Sequence, residues 1–411
     1  MTRPARTIRP TWAEIDLGAI EHNVRAVLAH VAPARLCAVV KADGYGHGAV
    51  PVTRAVLAAG ADGVAVALVE EGADLRAAGI DAPVLVLSEP APADAHDVVA
   101  LGLEPTVYSA PGIAALAHAA AAGGAADAAA DAADAAGGAR RAVRGAEGGG
   151  APAPLPVHLK VDTGMHRVGA PPEDAVALAR MVALRPELEL ASVWTHCAVA
   201  DEPEHPLTSL QLERFEAVVS ELEAAGLRPP ELHVANSAAA LSLPGARFDM
   251  VRCGISLYGI DPSPALAGLV DLRPALRLVS HVGLVKRVDA GEALSYGQRY
   301  RLERPSTIAT VPIGYADGVR RSWSEVGGQV LVRGRRRPVA GTVTMDQLLV
   351  DCGDDPVEVG DEVVLIGRQG GEEITANQMA ARLGTIGYEI VCAIGPRVPR
   401  RHRCAGGPQP A

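Results

Sequence analysis

The sequence predicts an α/β protein: an N-terminal (β/α)8 barrel of the TIM type followed by a β-rich C-terminal domain. Three observations predict it. Short apolar segments recur eight times between Leu36 and Arg252 and alternate with amphipathic helical patterns, the rhythm of a parallel barrel. Beyond Pro274 alternating segments follow one another with only Gly and Pro turns between them, as in an all-β unit. The residues at the ends of the eight segments are also rich in ionisable and hydrogen-bonding groups, and the C-terminal ends of the strands are where a barrel gathers its chemistry.

Taken in order, TWAEIDL reads as an opening strand, and Asp16 as the N-cap of a helix from about Leu17 to His30 with Ile20, Val24, Val27 and Leu28 on one face. Barrel segments then end at Val40, Leu68, Leu87, near Tyr108, at Val161, near Trp194, at Val234 and around Arg252. Helical patterns lie between most of them, over Ala49 to Ala59, Glu70 to Ala78, Ala93 to Ala100, Glu173 to Leu184 and Ser209 to Ala225. Reading off the strand ends gives Lys41, Ser88, Tyr108, Lys160 with Asp162, His196, Asn236 with Ser237, and Arg252. The stretch from Ala114 to Pro156 breaks the rhythm. Its Ala/Gly composition is too simple to specify a packed face, so it is expected to be an expanded, poorly ordered loop after the fourth strand, with an exposed helix in its Ala-rich part and a flexible link at GAEGGGAPAP. The expected domains are 1–270 for the barrel, with the insert at about 114–155, 271–400 for the β-rich domain, and a disordered tail over 401–411. A helical pattern over Thr375 to Leu383 interrupts the second domain.

With 411 residues, 49% hydrophobic and 21% charged, the composition is that of a soluble globular protein large enough for two or three domains. A net charge of −10 gives no reason to expect nucleic acid, and the basic run Arg333 to Arg337 reads as a solvated turn. The N-terminal MTRPARTIRP has no apolar core of a secretory signal, and no apolar run is long enough for a membrane span, so a cytoplasmic enzyme is expected. Six cysteines stand singly, with no pair at zinc spacing, which fits reduced thiols and no metal.

The segment VVKADGYGHG concentrates the chemistry. A strand buried on both faces ends at Lys41 and passes into a Gly- and Tyr-rich loop where backbone can approach a ligand closely. By itself Lys41 is either a strand-end residue reaching for water or a reactive amine. The segments VVKADGYGHG, LKVDTGMHRVG, HVANSAA, MVRCGISLYG, SYGQRY, PIGYADG, TVTMDQ and GYEIVCAI follow in this order over nearly the whole chain. In this set the sequence resembles the alanine racemases, enzymes that use pyridoxal 5'-phosphate on a barrel plus β-domain.

The resemblance implies that Lys41 bonds the aldehyde of pyridoxal phosphate and acts as one acid/base, with Tyr296 as the other, supplied across a homodimer interface. Since an ordinary phenol titrates near ~10, such a tyrosine needs help at neutral pH, and the family pattern places His196 and Arg252 in a network around it, with His233 supporting Arg252. Arg252 is expected opposite the pyridine nitrogen, where a permanently charged donor keeps that nitrogen unprotonated. Residues alone leave core roles for the histidines open, and a plain Arg252 to Asp249 pair as well. The phosphate falls to Tyr45, Ser237, the amides of Gly254 and Ile255, and Tyr388. Ser237 as a simple helix cap is the competing reading. Arg167 resembles the arginine that receives the substrate carboxylate, with the Met345 amide assisting. Lys160 is carbamylated in many members or forms a salt bridge to Asp162, and Tyr296, Tyr315 and Tyr388 crowd the entrance, favouring a small amino acid.

The implied activity is interconversion of L- and D-alanine for peptidoglycan. A broad-specificity or serine racemase is the nearest alternative, then a pyridoxal-dependent decarboxylase. A non-catalytic cofactor-binding protein is disfavoured by the β-domain carrying Tyr296 and Met345. Thr342 and Thr344 depart from the family's commoner Arg and small Cys or Ser, Gly44 replaces a common Ala, and the insert is atypical.

Overall fold

A computed structural model describes residues 9–137 and 153–404. After an opening strand β1 (Trp12–Asp16), eight strands form the barrel: β2 (Arg35–Val39), β3 (Gly63–Val66), β4 (Val84–Val86), β5 (Glu104–Val107), β6 (Leu155–Lys160), β7 (Leu188–Trp194), β8 (Glu231–His233) and β9 (Met250–Cys253). They pair in the order β8-β7-β6-β5-β4-β3-β2-β9, all parallel. The seam between β8 and β9 is bridged by Asp249 N to Leu232 O at 3.1 Å and Arg252 N to Ala235 O at 2.9 Å, so the barrel is nearly closed. These strands are short and mostly buried, with Val, Leu and Ala the commonest residues on them. Each buried Val or Leu side chain contributes roughly 1.5–3 kcal/mol.

Five of the helices fall close to the helical patterns of the sequence: Ala49–Ala58, Val69–Ala77, Ala95–Ala100, Ala175–Ala183 and Leu207–Ala224. Leu17–Val31 starts at Asp16, whose carboxylate accepts the Ala19 amide at 2.9 Å, a cap worth about 1 kcal/mol. The insert differs from expectation at its start. A helix runs Ala110–Gly137, and Ile113, Leu116, Ala117 and Ala119 are buried against the barrel, so the departure from the fold begins later than residue 114. Alanine is the best helix former and needs no polar alternation to pack, which is why periodicity could not show this helix. The Gly-rich link at 145–152 lies outside the described residues.

Two further boundaries are corrected. β1 belongs to the C-terminal domain's large sheet and not to the barrel. It lies antiparallel to β10 (Leu276–His281), Trp12 opposite Val279, and parallel to Arg400–Arg403, Ala13 opposite Arg400. The expected tail therefore begins as a strand, and only 405–411 lie outside the described residues. Glu14, nearly buried, explains the three-strand join: it accepts from Arg403 at 2.6 Å and Arg277 at 3.2 Å, one cation from each flanking strand. Such cross-strand pairing between residues hundreds apart leaves no local trace in sequence.

The C-terminal domain adds a three-stranded sheet of Leu284–Val288, Ser306–Val311 and Leu348–Asp351. Two helices, Ala376–Leu383 and Gly387–Cys392, follow; the second has no counterpart among the helical patterns of the sequence. The basic run forms a hairpin turning at Arg333 and Gly334, both at positive φ, and Arg335, Arg336 and Arg337 pair with Asp355 or Glu372. Among the described residues no helix is long and apolar enough to cross a membrane.

Candidate active site

Lys41 stands at the C-terminal mouth of the barrel, just past β2. The four residues after it, Ala42, Asp43, Gly44 and Tyr45, all have left-handed backbone, with φ between 52° and 60°. Three are not glycine, and each costs about 1–2 kcal/mol in that region. The surroundings hold the turn in place. Glu71 accepts the Ala42 amide at 2.6 Å, Asp43 accepts the Ala49 amide at 2.8 Å, Arg400 donates to the Gly46 carbonyl at 2.9 Å, and His402 bonds the His47 carbonyl at 2.7 Å. The Lys41 amine is pushed below its ordinary value, first by burial and then by the positive charge of Arg167, with Glu71 opposing. A strand-end lysine reaching for water would show neither effect.

Arg252 is buried on β9, the strand paired beside β2, with Cys37 opposite it. Its Nη1 donates to His233 Nδ1 at 2.9 Å and to the His233 carbonyl at 3.1 Å; its Nη2 donates to the carbonyls of Thr195 at 2.7 Å and Val234 at 3.1 Å, and to His196 Nδ1 at 3.3 Å. Burial lowers its guanidinium to about 10, so it stays charged at neutral pH. It does not pair with Asp249, whose carboxylate accepts the Leu232 amide at 2.8 Å. The indole of Trp194 lies 4.3 Å from the Arg252 guanidinium and 4.3 Å from the Lys160 amine, a cation–π arrangement with both. His196 and His233 are driven well below the ordinary imidazole value, first by burial and then by Arg252, and are neutral. Because Arg252 can only donate, His196 accepts at Nδ1 and carries its hydrogen on Nε2.

Past the C-terminal ends of β8 and β9 lies a polar cradle that Tyr45 of the Lys41 turn reaches. Ser237 opens the helix Ser237–Ser242 but is not its cap; Asn236 is, accepting the Ala239 amide at 3.1 Å. The Ser237 hydroxyl instead accepts the Gly254 amide at 2.9 Å and the Ser256 hydroxyl at 3.2 Å. A Cβ on Gly254 would sit 2.3 Å from the Tyr45 hydroxyl, so glycine is required for the phenol to reach this backbone. Ile255 begins a short turn, Ile255–Tyr258, whose first amides have no acceptor within the turn. Tyr388 lies 6.1 Å from Tyr45, ring to ring, and burial pushes both phenols up, so each remains a neutral hydrogen-bond donor. The Ser237 hydroxyl and the Tyr45 phenol meeting at Gly254, with the free first amides of the Ile255 turn beside them, suit a phosphate ester, and the depressed, half-buried amine of Lys41 suits an aldehyde. On these grounds the residues present fit pyridoxal phosphate.

Lys160 is buried and its amine is lowered to about 7, first by burial, then by Arg252, Arg167 and Lys41. It makes no ion pair with Asp162, whose Oδ1 accepts the amides of Gly164, Met165 and His166. Arg167 is exposed beside it. Tyr296, Tyr315 and Met345 belong to the C-terminal domain and are 72%, 41% and 52% exposed. Their loops interlock: Thr342 Oγ1 donates to the Tyr296 carbonyl at 2.8 Å, and the Tyr315 amide to the Thr344 carbonyl at 3.0 Å.

Three contributors escaped sequence reading. Glu71 sits on a helix and acts through the backbone of residue 42. Thr195 contributes only a carbonyl. Trp194, at the end of β7 and two residues before His196, could have been found from that position.

A barrel mouth that gathers a half-buried lysine, two neutral histidines, a buried guanidinium and a polar cradle, with a β-rich domain behind it, has the make-up of a two-domain barrel enzyme. The family description "Alanine racemase, N-terminal domain" matches residues 15–262, and "Alanine racemase, C-terminal domain" matches 275–402. The chain belongs to the alanine racemase family, and is an enzyme of the isomerase class. It is 50% identical to an alanine racemase of Symbiobacterium thermophilum over 96% of this chain and 97% of that one, and 44% identical to one of Frankia casuarinae over 97% and 98%. Among solved structures, the alanine racemase of the D-cycloserine producer Streptomyces lavendulae superposes with TM-score 0.86 at 39% identity, covering 98% of each chain. That of Bacillus anthracis with bound L-Ala-P superposes with TM-score 0.85 at 36% identity, covering 98% and 97%.

Proposed function

We propose that this chain interconverts L- and D-alanine with pyridoxal 5'-phosphate bound in the cradle, and that it works as a homodimer in the cytoplasm to supply D-alanine for peptidoglycan. The observation that carries the reading is the depressed amine of Lys41 at the same barrel mouth as the charged Arg252 and the Ser237, Gly254 and Tyr45 cradle. When bound, the cofactor supplies an electron sink for negative charge at the substrate Cα. Lys41 removes the Cα proton on one face, and the Tyr296 phenol of a second copy returns one on the other. Exposure of Tyr296 at 72% in the single chain suits a residue that serves a neighbour's site. His196, with its hydrogen on Nε2, donates toward that phenol.

Arg252 keeps a donor toward the cofactor nitrogen, which holds that nitrogen unprotonated and directs the returning proton to Cα. Arg167 takes the substrate carboxylate, with the Met345 amide of the second copy assisting. Lys160, with its amine lowered to about 7, is nucleophilic enough at neutral pH to take up carbon dioxide, and the resulting carbamate orients Arg167. Tyr315 and Tyr388 narrow the entrance. A pocket of that kind rejects one extra methylene by only about 1–3 kcal/mol, so serine is a slow substrate.

The test is incubation with L-alanine, and separately L-serine, in deuterated water. Deuterium at Cα together with D-alanine supports the reading; carbon dioxide release or an unexchanged Cα refutes it. The shared site has its own test. Lys41→Ala and Tyr296→Phe are each inactive, and mixing them restores about a quarter of wild-type activity after random subunit exchange. No restoration would refute sharing.

A further inference from the structure

Beneath Arg252 a file of polar side chains runs through the barrel interior, where branched apolar residues are the usual filling. His233 Nε2 lies 2.7 Å from the Ser192 hydroxyl, that hydroxyl 2.7 Å from His158 Nδ1, and His158 Nε2 3.1 Å from Glu104 Oε2. Arg252, His233, Ser192 and His158 are all buried, and Glu104 opens onto a recess of about 280 Å³ at the N-terminal ends of the strands, beside Arg35, Asp62 and Glu231. Burying such groups is costly unless each is paired, and here each finds its partner in the next.

With both imidazoles neutral, the protons in this file have one arrangement. A guanidinium only donates, so His233 accepts at Nδ1 and is protonated at Nε2. Ser192 accepts that hydrogen and passes its own to His158 Nδ1; His158 then donates from Nε2 to Glu104, an acceptor. The acceptor-only carboxylate at one end and the donor-only guanidinium at the other agree on this direction, and aligned hydrogen bonds strengthen one another. Four of the five guanidinium hydrogens are taken by His233, His196 and the carbonyls of Thr195 and Val234; Nε–H has no acceptor among the described residues.

We propose that Glu104, His158 and Ser192 are positioning residues for the reaction: the file clamps the His233 ring with its Nδ1 lone pair on Arg252, and so holds the guanidinium with its free Nε–H facing the cofactor nitrogen. This rests on the reading of Arg252 given above. Glu104 acts at a distance of three intervening side chains, so its contribution distinguishes a coupled file from local packing.

The test compares Glu104→Leu, Glu104→Gln and Ser192→Ala. The Glu104→Gln protein keeps an acceptor for His158 and behaves as wild type. Glu104→Leu and Ser192→Ala lower kcat by about three- to tenfold, with KM for alanine within about twofold, and raise the fraction of cofactor lost as pyridoxamine phosphate. In cofactor-free protein labelled with 15N, Glu104→Leu shifts the side-chain N–H resonances of His233 and Arg252, neither of which touches residue 104. Unmoved resonances in that variant, or kcat within twofold of wild type in both Glu104→Leu and Ser192→Ala, would overturn the proposal. Glu104 is partly exposed, so its variants fold, and Ser192→Thr, which keeps the hydroxyl, restores any loss that Ser192→Ala shows through the file. Resonances that shift as described, in a protein whose wild-type form fails to racemise alanine, would overturn the functional reading and leave the file standing.

Discussion

Gly254→Ala tests the cradle most directly. The new Cβ falls 2.3 Å from the Tyr45 hydroxyl and 2.8 Å from its ring carbon, against an ordinary contact that begins at 3.4 Å. The phenol must therefore retreat by about 1 Å, and it is walled in by Tyr258 at 4.9 Å and Tyr388 at 6.1 Å, ring to ring. Overpacking of this kind costs about 1–3 kcal/mol of stability. Displacing the hydroxyl removes one hydrogen bond to a charged phosphate, worth about 1.5–3 kcal/mol. The expected loss of pyridoxal phosphate affinity is about 10- to 100-fold. Titration of cofactor into cofactor-free protein, followed by absorbance, gives the dissociation constant. Tyr45→Phe, which deletes the hydroxyl without crowding, shows a loss of the same order. A Gly254→Ala protein that binds within twofold of wild type would refute the role given to this cradle.

Arg252→Glu places a carboxylate against the carbonyls of Thr195, His233 and Val234, so it lowers stability by about 3–5 kcal/mol as well as racemisation; among molecules that fold, the share of turnovers ending in pyridoxamine phosphate rises, and an unchanged share refutes the assignment. Lys160 gives a pH signature. Its folded-state value of about 7 against an ordinary 10.5 means that between these limits unfolding takes up a proton, so in carbonate-free buffer stability rises with pH across that window; Lys160→Met flattens the rise in a denaturant series, and an equal slope in both proteins refutes it. With bicarbonate, intact-mass measurement shows one added carbon dioxide on wild type and none on Lys160→Met. Deleting residues 124–150 leaves soluble expression and activity near wild type, whereas a deletion that starts at Ile113 removes buried Leu116 and Ala119 and lowers the melting temperature by several degrees.

The barrel was legible because each strand is a local object: a run such as Leu36–Val40 declares its burial on both faces within five residues. The strand-end rule then carried Lys41, Lys160, His196, Ser237 and Arg252 to one mouth. What sequence could not give are relations without a local signature. β1 reads as a strand wherever its partners lie, and only the fold puts it between Leu276–His281 and Arg400–Arg403. The left-handed run at Ala42–Tyr45 contradicts the preference of three of its four residues and exists because Glu71, Arg400 and His402 impose it. His158 and Ser192 sit on β6 and β7 among apolar neighbours, and their alignment with Glu104 appears only when three strands stand side by side.

The clamp on the Lys41 turn has a consequence for biosynthesis. Two of its fasteners, Arg400 and His402, are made some 350 residues after the turn they hold. All eight barrel strands lie within the first 253 residues, whereas the turn after Lys41 waits for residues made much later. The turn is therefore fully fastened only once Arg400–Arg403 has paired beside Trp12–Asp16.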